Sequence, residues 1–395
     1  MQHNFDLVID RHNTNSVKWD EIKHPDMLPL WVADMDFATA PCIQEAIMRR
    51  ATHGCYGYTL VPDSYREAIC GWFANRHQWQ VMSDHILYTI GVIPAIAAIL
   101  KAVCQTGDNV VMLTPVYNCF FNLIRNAGCQ CVSVPLVEDN ADSNLISYSV
   151  HWEALESALA QEKSTVLLLS NPHNPCGRIW SEEELLRMAQ LCERHGVTLI
   201  SDEIHNELTA PGRMYVPFGR CIASHPSALK WVMCGSPSKS FNIAGLQNAF
   251  IICTDADLRR RIDRAINLNE TCDLNPFGVV AVEAAYREGA EWLDQARQYI
   301  WDNYHYALQR LSALPECPVA DLQATYLMWI DCRAICQRLG ITSAELSSRL
   351  RMDAHIWFCA GSIYGGEGEG YLRVNLACPR SILTEALNRF IQYVQ

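Results

Sequence analysis

The run TVLLLSNPHNPCGRIWSEEELLRMAQLCERHGVTLISDEIH, Thr165 to His205, carries two short apolar β-rich segments around one helix. Thr165–Leu169 and Thr198–Ser201 read as strands, and Glu182–His195 has apolar residues at helical spacing. Ser181 followed by Glu184 is a capping box at the start of that helix. A strand, a crossover helix and a second strand make a parallel βαβ unit.

The same alternation extends outward in both directions from about Asp63. Further strands are expected at Ile86–Ile90, Val110–Leu113, Cys131–Leu136, Leu229–Met233 and Ala249–Cys253, with helices at Ile93–Cys104, Tyr117–Ala127 and Trp152–Ala160. The fold class is therefore α/β, with a seven-stranded, mostly parallel sheet in a large domain. Past about Asn275 the texture changes to long helical stretches around Val279–Leu311 and Ala344–Met352, with strands at Tyr326–Asp331 and Tyr371–Asn375. These predict a smaller α+β domain. The expected division is an N-terminal segment over residues 1–45 packing with the small domain, a large domain over 46–278 and the small C-terminal domain over 279–395. No repeat at a fixed period and no Ser/Pro-rich linker interrupts the chain.

Composition narrows the functional classes. The 395 residues are 50% hydrophobic and 19% charged, a balance that buries a core and excludes a disordered chain. A net charge of −12 has the wrong sign for coating nucleic acid or an anionic membrane, so a small-molecule partner is expected. The 18 cysteines are scattered without a CxxC pair, which argues against zinc ribbons and redox dithiols and predicts buried apolar thiols with no metal site. The N-terminal MQHNFDLVIDRHN carries charges throughout and lacks a signal-peptide apolar stretch, so a cytoplasmic protein is expected. The longest apolar run, Val92 to Leu100, is about half of the roughly 20 residues that a membrane span requires, and predicts a buried helix.

In an open α/β sheet the ligand lies beyond the carboxyl ends of the strands, which directs attention to the turns there. They are polar and unusual: GVIP from Gly91, SNPHNPCGR from Ser170 to Arg178, DEIH from Asp202 to His205 and GSPSKSFNIAGLQ from Gly235 to Gln247. Together they resemble the fold-type I enzymes that use pyridoxal 5′-phosphate (PLP), the aminotransferase-like group, over essentially the whole chain. Asn174, Asp202, Lys239 and Arg373 follow the family's order, each in a matching local motif. One such motif is weak evidence, whereas four in register are specific.

The resemblance implies a role for each residue, and elementary chemistry fits each role. Lys239, between Ser238 and Ser240, is the implied catalytic lysine that forms a Schiff base with PLP, and burial in a polar turn would lower its pKa as that chemistry favours. Asp202 directly follows an apolar strand, where a carboxylate is costly unless it meets a cation. The ring N–H of PLP is the implied cation, and a helix cap is the competing reading. Asn174, between Pro172 and Pro175, is implied to reach the ring oxygen, and His205 stands where aminotransferases carry a tyrosine for the same oxygen. A structural turn and a structural histidine are their alternatives. Tyr117 in TPVY resembles the aromatic that stacks on the ring, the alternative being a core residue.

For the phosphate, the resemblance implies backbone N–H groups of Gly91, Val92 and Ile93 at a helix start, with Ser236 and Ser238 adding hydroxyls. Tyr58 in YGYT resembles a tyrosine that reaches the phosphate and substrate of the neighbouring subunit, which implies a homodimer; a packing residue is the alternative. Arg373 in YLRVNLACPR matches the arginine that grips a substrate α-carboxylate with its planar fork, against the alternative of a surface ion pair.

One departure separates branches of the family. Aminotransferases of this group usually place an arginine eight residues after the lysine, and here that position is Gln247. Together with the histidine of DEIH, the SNPHNP loop and WVADMDF from Trp31 to Phe37, this resembles the carbon–sulfur lyase branch, the cystathionine β-lyases of the MalY/PatB type. The expectation is a PLP-dependent β-lyase acting on cystathionine or a related cysteine thioether. A class I/II aminotransferase would use the same residues and stays open. A non-catalytic PLP-binding regulator is the alternative from another class; such proteins usually carry a DNA-binding module in front, and about 30 residues precede WVADMDF, too few for one. Cys176, where many relatives have Thr or Gly, has no mechanistic account in the sequence.

Overall fold

Seven strands form the central sheet in the order Ile86–Thr89, Ala249–Ile252, Trp231–Gly235, Thr198–Asp202, Ser164–Ser170, Asn109–Thr114 and Gln130–Pro135. The computed structural model describes residues 2–21, 24–139, 145–225, 227–268 and 272–395. All seven expected strands are present. Only Ala249–Ile252 runs against its neighbours, and the ladders from Trp231–Gly235 through Gln130–Pro135 are parallel.

Local chemistry explains the elements. Helix Glu182–Arg194 begins with the expected capping box: the Glu184 N–H donates to Ser181 Oγ at 3.1 Å and the Ser181 N–H to Glu184 Oε2 at 3.0 Å. The apolar run forms helix Val92–Val103, whose Ala95, Ile96, Ile99 and Leu100 are fully buried. The strand expected at Leu229–Met233 instead runs Trp231–Gly235, with Trp231 opposite Leu199 and Gly235 opposite Phe250. Gly235 suits that end because a Cβ there would stand 2.6 Å from the Phe250 ring.

A second sheet has the order Cys359–Ala360, Tyr371–Asn375, Leu327–Asp331, Val319–Ala320, Leu145–Ser149 and Val137–Asp139. Its last two strands come from between the strands of the first sheet, so the chain does not divide cleanly at 278. Leu145–Ser149 crosses over because Leu145 and Ile146 pair in parallel with Val319 and Ala320. Helix Pro276–Glu288 packs on helices Pro41–Thr52 and Asp63–His77. The N-terminal segment joins the second sheet's side of the molecule, where Leu28–Pro29 pairs with Ile356–Trp357.

From there, Trp31 to Phe37 runs as a strap held by buried and half-buried polar side chains. Asn375 Nδ2 donates to the carbonyls of Val32 (2.8 Å) and Asp34 (2.7 Å), and Asn242 Nδ2 to those of Met35 (3.1 Å) and Phe37 (2.7 Å). Buried Asp36 accepts from Lys18, Arg11 and Trp19 at 2.7, 2.9 and 2.8 Å. All 18 cysteines are free. Cys176, Cys192 and Cys234 are buried as expected, but Cys55 is exposed and Cys119 half-buried, so burial does not account for every thiol. Among the described residues, no helix is long and apolar enough to cross a membrane.

Candidate active site

The carboxyl ends of the parallel strands converge on one cavity of about 210 Å³. Ser170 and Asp202 stand opposite each other at the ends of adjacent strands, and Asp202 opposite Cys234 at the next. Gly91, Val92, Ile93, Tyr117, Asn174, Asp202, His205, Ser238 and Lys239 all line the cavity. These positions span about 150 residues of sequence, and only the sheet brings them together.

Lys239 sits in a tight turn closed by Phe241 N–H to Pro237 O at 2.9 Å and Ile243 N–H to Ser238 O at 3.0 Å. Its Nζ donates to the Ala33 carbonyl at 2.6 Å. Burial pushes the lysine pKa down, against the attraction of Asp34 and with the repulsion of Arg373. A buried amine that gives up its proton readily is a competent nucleophile and base.

Asp202 is 4% exposed and accepts the Ile204 N–H at 3.1 Å. Burial raises its pKa to about 7, in spite of that hydrogen bond and of Lys239. The attraction of Lys239 does not offset that burial, so a further cation would stabilise the carboxylate. His205 is driven the other way: burial, then Lys239 and Arg373, lower its pKa to about 3, so the imidazole is neutral. Its buried Nδ1 has no partner.

Arg373 lies on strand Tyr371–Asn375, with Trp329 on one side and Cys359 on the other. Its Nη1 donates to Asn174 Oδ1 at 3.2 Å and its Nη2 to the Trp31 carbonyl at 3.0 Å, while the guanidinium lies 4.7 Å from the centre of the Tyr364 ring. Buried Nε has no partner. An unsatisfied N–H on a buried guanidinium is costly, and a carboxylate is the group that removes the cost. Arg373 is 4% exposed, so the alternative of a surface ion pair does not describe it. The Asn174 amide spends its oxygen on Arg373, and its backbone N–H donates to Ser170 Oγ at 3.3 Å.

Helix Val92–Val103 starts at the cavity, with Gly91 as its N-cap and no side-chain cap. Unpaired backbone donors and the helix dipole make this a seat for an anion. Ser238 joins that wall. Ser236 does not: its hydroxyl donates to the Asn248 carbonyl at 2.6 Å and accepts the Ser238 N–H at 3.0 Å, so it braces the turn. Gln247 is exposed and left-handed (φ 49°), closing the short turn Ala244–Leu246 outside the cavity lining. Tyr58 is 98% exposed and lies away from the cavity of its own chain.

The residues fit PLP: a deprotonatable lysine, a buried carboxylate whose burial that lysine does not offset, an anion seat and a neutral histidine with a free ring nitrogen face one space. Ala33, Pro94, Ser170, Ile204 and Ala244 also line it and were not expected. Ala33 contributes a backbone carbonyl, which leaves no side-chain signal. Ser170 ends a strand as Asp202 does, and that position was its signal. Cys176, 1% exposed, lies in the Asn174 loop beside the Tyr148 hydroxyl and is insulated from the cavity.

Comparison with known proteins agrees with the geometry. The sequence matches the aminotransferase class I and II family over residues 25–390. It is 39% identical over 391 residues to cystathionine beta-lyase PatB of Bacillus subtilis, with 98% of each chain covered. It is 35% identical over 401 residues to protein MalY of Escherichia coli, covering 99% of this chain and 98% of the other. The crystal structure of cystalysin from Treponema denticola, which contains a pyridoxal 5′-phosphate cofactor, superposes with a TM-score of 0.93 at 31% identity, covering 99% of this chain and 98% of that one.

Proposed function

The chain belongs to the aminotransferase class I and II family, and from that premise we propose that it is a PLP-dependent carbon–sulfur β-lyase that cleaves cystathionine or a related cysteine thioether. The observation that carries the reading is the convergence of Lys239, buried Asp202 and Asn174 on one cavity, with Arg373, whose buried Nε is unpartnered, bonded to Asn174 at its edge. Relatives at 39% and 35% identity over nearly the whole chain, one of them a cystathionine beta-lyase, favour the lyase branch over transamination.

PLP, when bound, supplies an electron sink that stabilises negative charge at the substrate Cα. Everything else is the work of side chains. Lys239 holds the cofactor carbonyl and then takes the Cα proton at Nζ. Asp202 keeps a proton on the ring nitrogen, and the ion pair relieves its buried charge. Asn174 and His205 offer N–H groups to the ring oxygen, and Tyr117 bears on the ring face. Backbone N–H groups of Gly91, Val92 and Ile93, with the Ser238 hydroxyl, bind the phosphate. Arg373 clamps the substrate carboxylate and so fixes the Cβ–S bond in the orientation from which its electron pair leaves with sulfur. One water completes the balance, giving a thiol, pyruvate and ammonia.

The active unit in this reading is a homodimer. Tyr58 at 98% and Leu60 at 86% exposure are unusual for large apolar side chains, and a second chain covering them would bring Tyr58 to a neighbouring cavity. Free cysteines throughout suit a reducing compartment such as the cytoplasm. The test is stoichiometric. Purified protein given L-cystathionine should release pyruvate, ammonia and free thiol in equal amounts without any keto acid present; no pyruvate without an acceptor would refute the proposal.

A further inference from the structure

His24, Asp26 and His355 gather where the N-terminal segment pairs with Ile356–Trp357 in a separate two-stranded sheet. One ligand atom from each lies within 4.8 Å of the other two, and among the described residues no other three His, Cys, Asp or Glu side chains meet that condition. The imidazole centres are 4.0 Å apart. Backbone pairing fixes the arrangement: the Leu28 N–H donates to the His355 carbonyl at 2.9 Å, and Leu28 pairs with Ile356 directly beyond. His355 is held in the left-handed region (φ 52°), unfavourable for a side chain with a Cβ.

We propose that this cluster binds one divalent transition ion of the zinc class, which staples the N-terminal segment to the C-terminal part of the chain. Two imidazoles and one carboxylate make a borderline N,N,O donor set that suits zinc and its neighbours better than calcium or magnesium, with room for water as a further ligand. When both imidazoles ligate through a ring lone pair, the donor set brings the single negative charge of its carboxylate, which a divalent cation offsets. Among the described residues, Arg389 is a nearby cation. It donates to the backbone carbonyls of Asp26 (2.8 Å) and His355 (3.4 Å), and its charge is paired with Glu385 at 2.8 Å. The Asp26 N–H donates to His24 Nδ1 over a long 3.3 Å, a contact that metal ligation at that nitrogen would replace.

The staple has a consequence for the active site. His24 and Asp26 lie just upstream of Trp31 and Ala33, whose carbonyls accept from Arg373 and Lys239. Anchoring the segment at His355 restricts the strap that flanks the cavity. The binding proposal itself does not depend on the reaction catalysed.

The test uses the full-length PLP-loaded protein, stripped with a chelator, dialysed and titrated with cobalt(II) and zinc(II) against a competing fluorescent chelator. Wild type should bind one equivalent more than His24→Ala/His355→Ala, and Asp26→Asn should bind at least tenfold more weakly. Cobalt in that extra site should show d–d absorption without the thiolate charge-transfer band that cysteine ligation gives. Zinc should slow proteolysis of the N-terminal segment in wild type only. The Gln pair His24→Gln/His355→Gln serves as a second variant, with retained PLP absorption as the check on folding. Equal stoichiometry and affinity in wild type and a folded double variant, binding through thiolates alone, or no binding by wild type would overturn the site.

Discussion

The Lys239 ammonium donates to the backbone carbonyl of Ala33 at 2.6 Å, and two residues away the Trp31 carbonyl accepts from Arg373 at 3.0 Å. One strap thus touches both the lysine and the arginine. Each carbonyl occupies a cationic donor that cofactor or substrate would otherwise meet, which links the N-terminal segment to the chemistry of the cavity.

Lys239→Ala should abolish the visible absorption of the lysine-bound cofactor and lower turnover by at least about 10²–10⁴, the usual worth of a positioned base. Borohydride reduction of wild type followed by peptide mapping should place the label on Lys239. A label on another lysine contradicts the assignment.

Asp202 makes a pH-dependent prediction. Its pKa stands at about 7 in the folded protein, raised from an ordinary 3.8 by burial. The stability that protonated Asp202 contributes to the cofactor-free protein is fully present below about pH 4 and lost as pH rises through about 7. Cofactor-free Asp202→Asn should therefore match wild type near pH 4 and exceed it at pH 8, by at most about 4 kcal/mol at 1.36 kcal/mol per pKa unit. With PLP bound the order reverses, because ionised Asp202 then meets the ring N–H. Denaturant melts across pH 4–8 check this, and a gap that does not change with pH contradicts it.

Removing the desolvated carboxylate clamp should be expensive. Arg373→Ala is expected to lose about 2–5 kcal/mol of transition-state binding, which is roughly 30-fold to several thousand-fold in kcat/KM. Arg373→Lys should recover little of it, since an ammonium cannot reproduce the planar fork. Steady-state kinetics on both variants decide the matter, and a loss under tenfold for Ala contradicts the role.

Mixing inactive Lys239→Ala with inactive Tyr58→Ala subunits should restore part of the activity, because each hybrid then holds one intact cavity. Heterodimers isolated with two affinity tags give the measurement. Inactivity of confirmed hybrids contradicts a shared site.

Most of this architecture is legible in sequence because strand ends carry the chemistry. Asp202 after Thr198–Ser201 and Lys239 after the strand ending at Gly235 stand out as polar groups following apolar runs. The paired strands Val137–Asp139 and Leu145–Ser149 were not legible, since Val319 and Ala320, the partners of Leu145 and Ile146, lie far along the chain and the strands themselves are short and half-exposed. The Ser236 hydroxyl was misplaced for a different reason: the same SPSKS turn can aim a hydroxyl at a ligand or at its own backbone, and only the position of Asn248 decides. His24 and His355 are separated by too much sequence for their proximity to be read.

The most direct test of the central claim sets the two fates of the substrate against each other. Wild-type protein is given cystathionine alone and, separately, aspartate or an aromatic amino acid with 2-oxoglutarate, and initial rates of pyruvate release and of glutamate formation are compared. The account predicts that β-elimination far exceeds transamination, and that Gln247→Arg tightens PLP without reversing the ratio. Faster glutamate formation by the wild-type protein would contradict it.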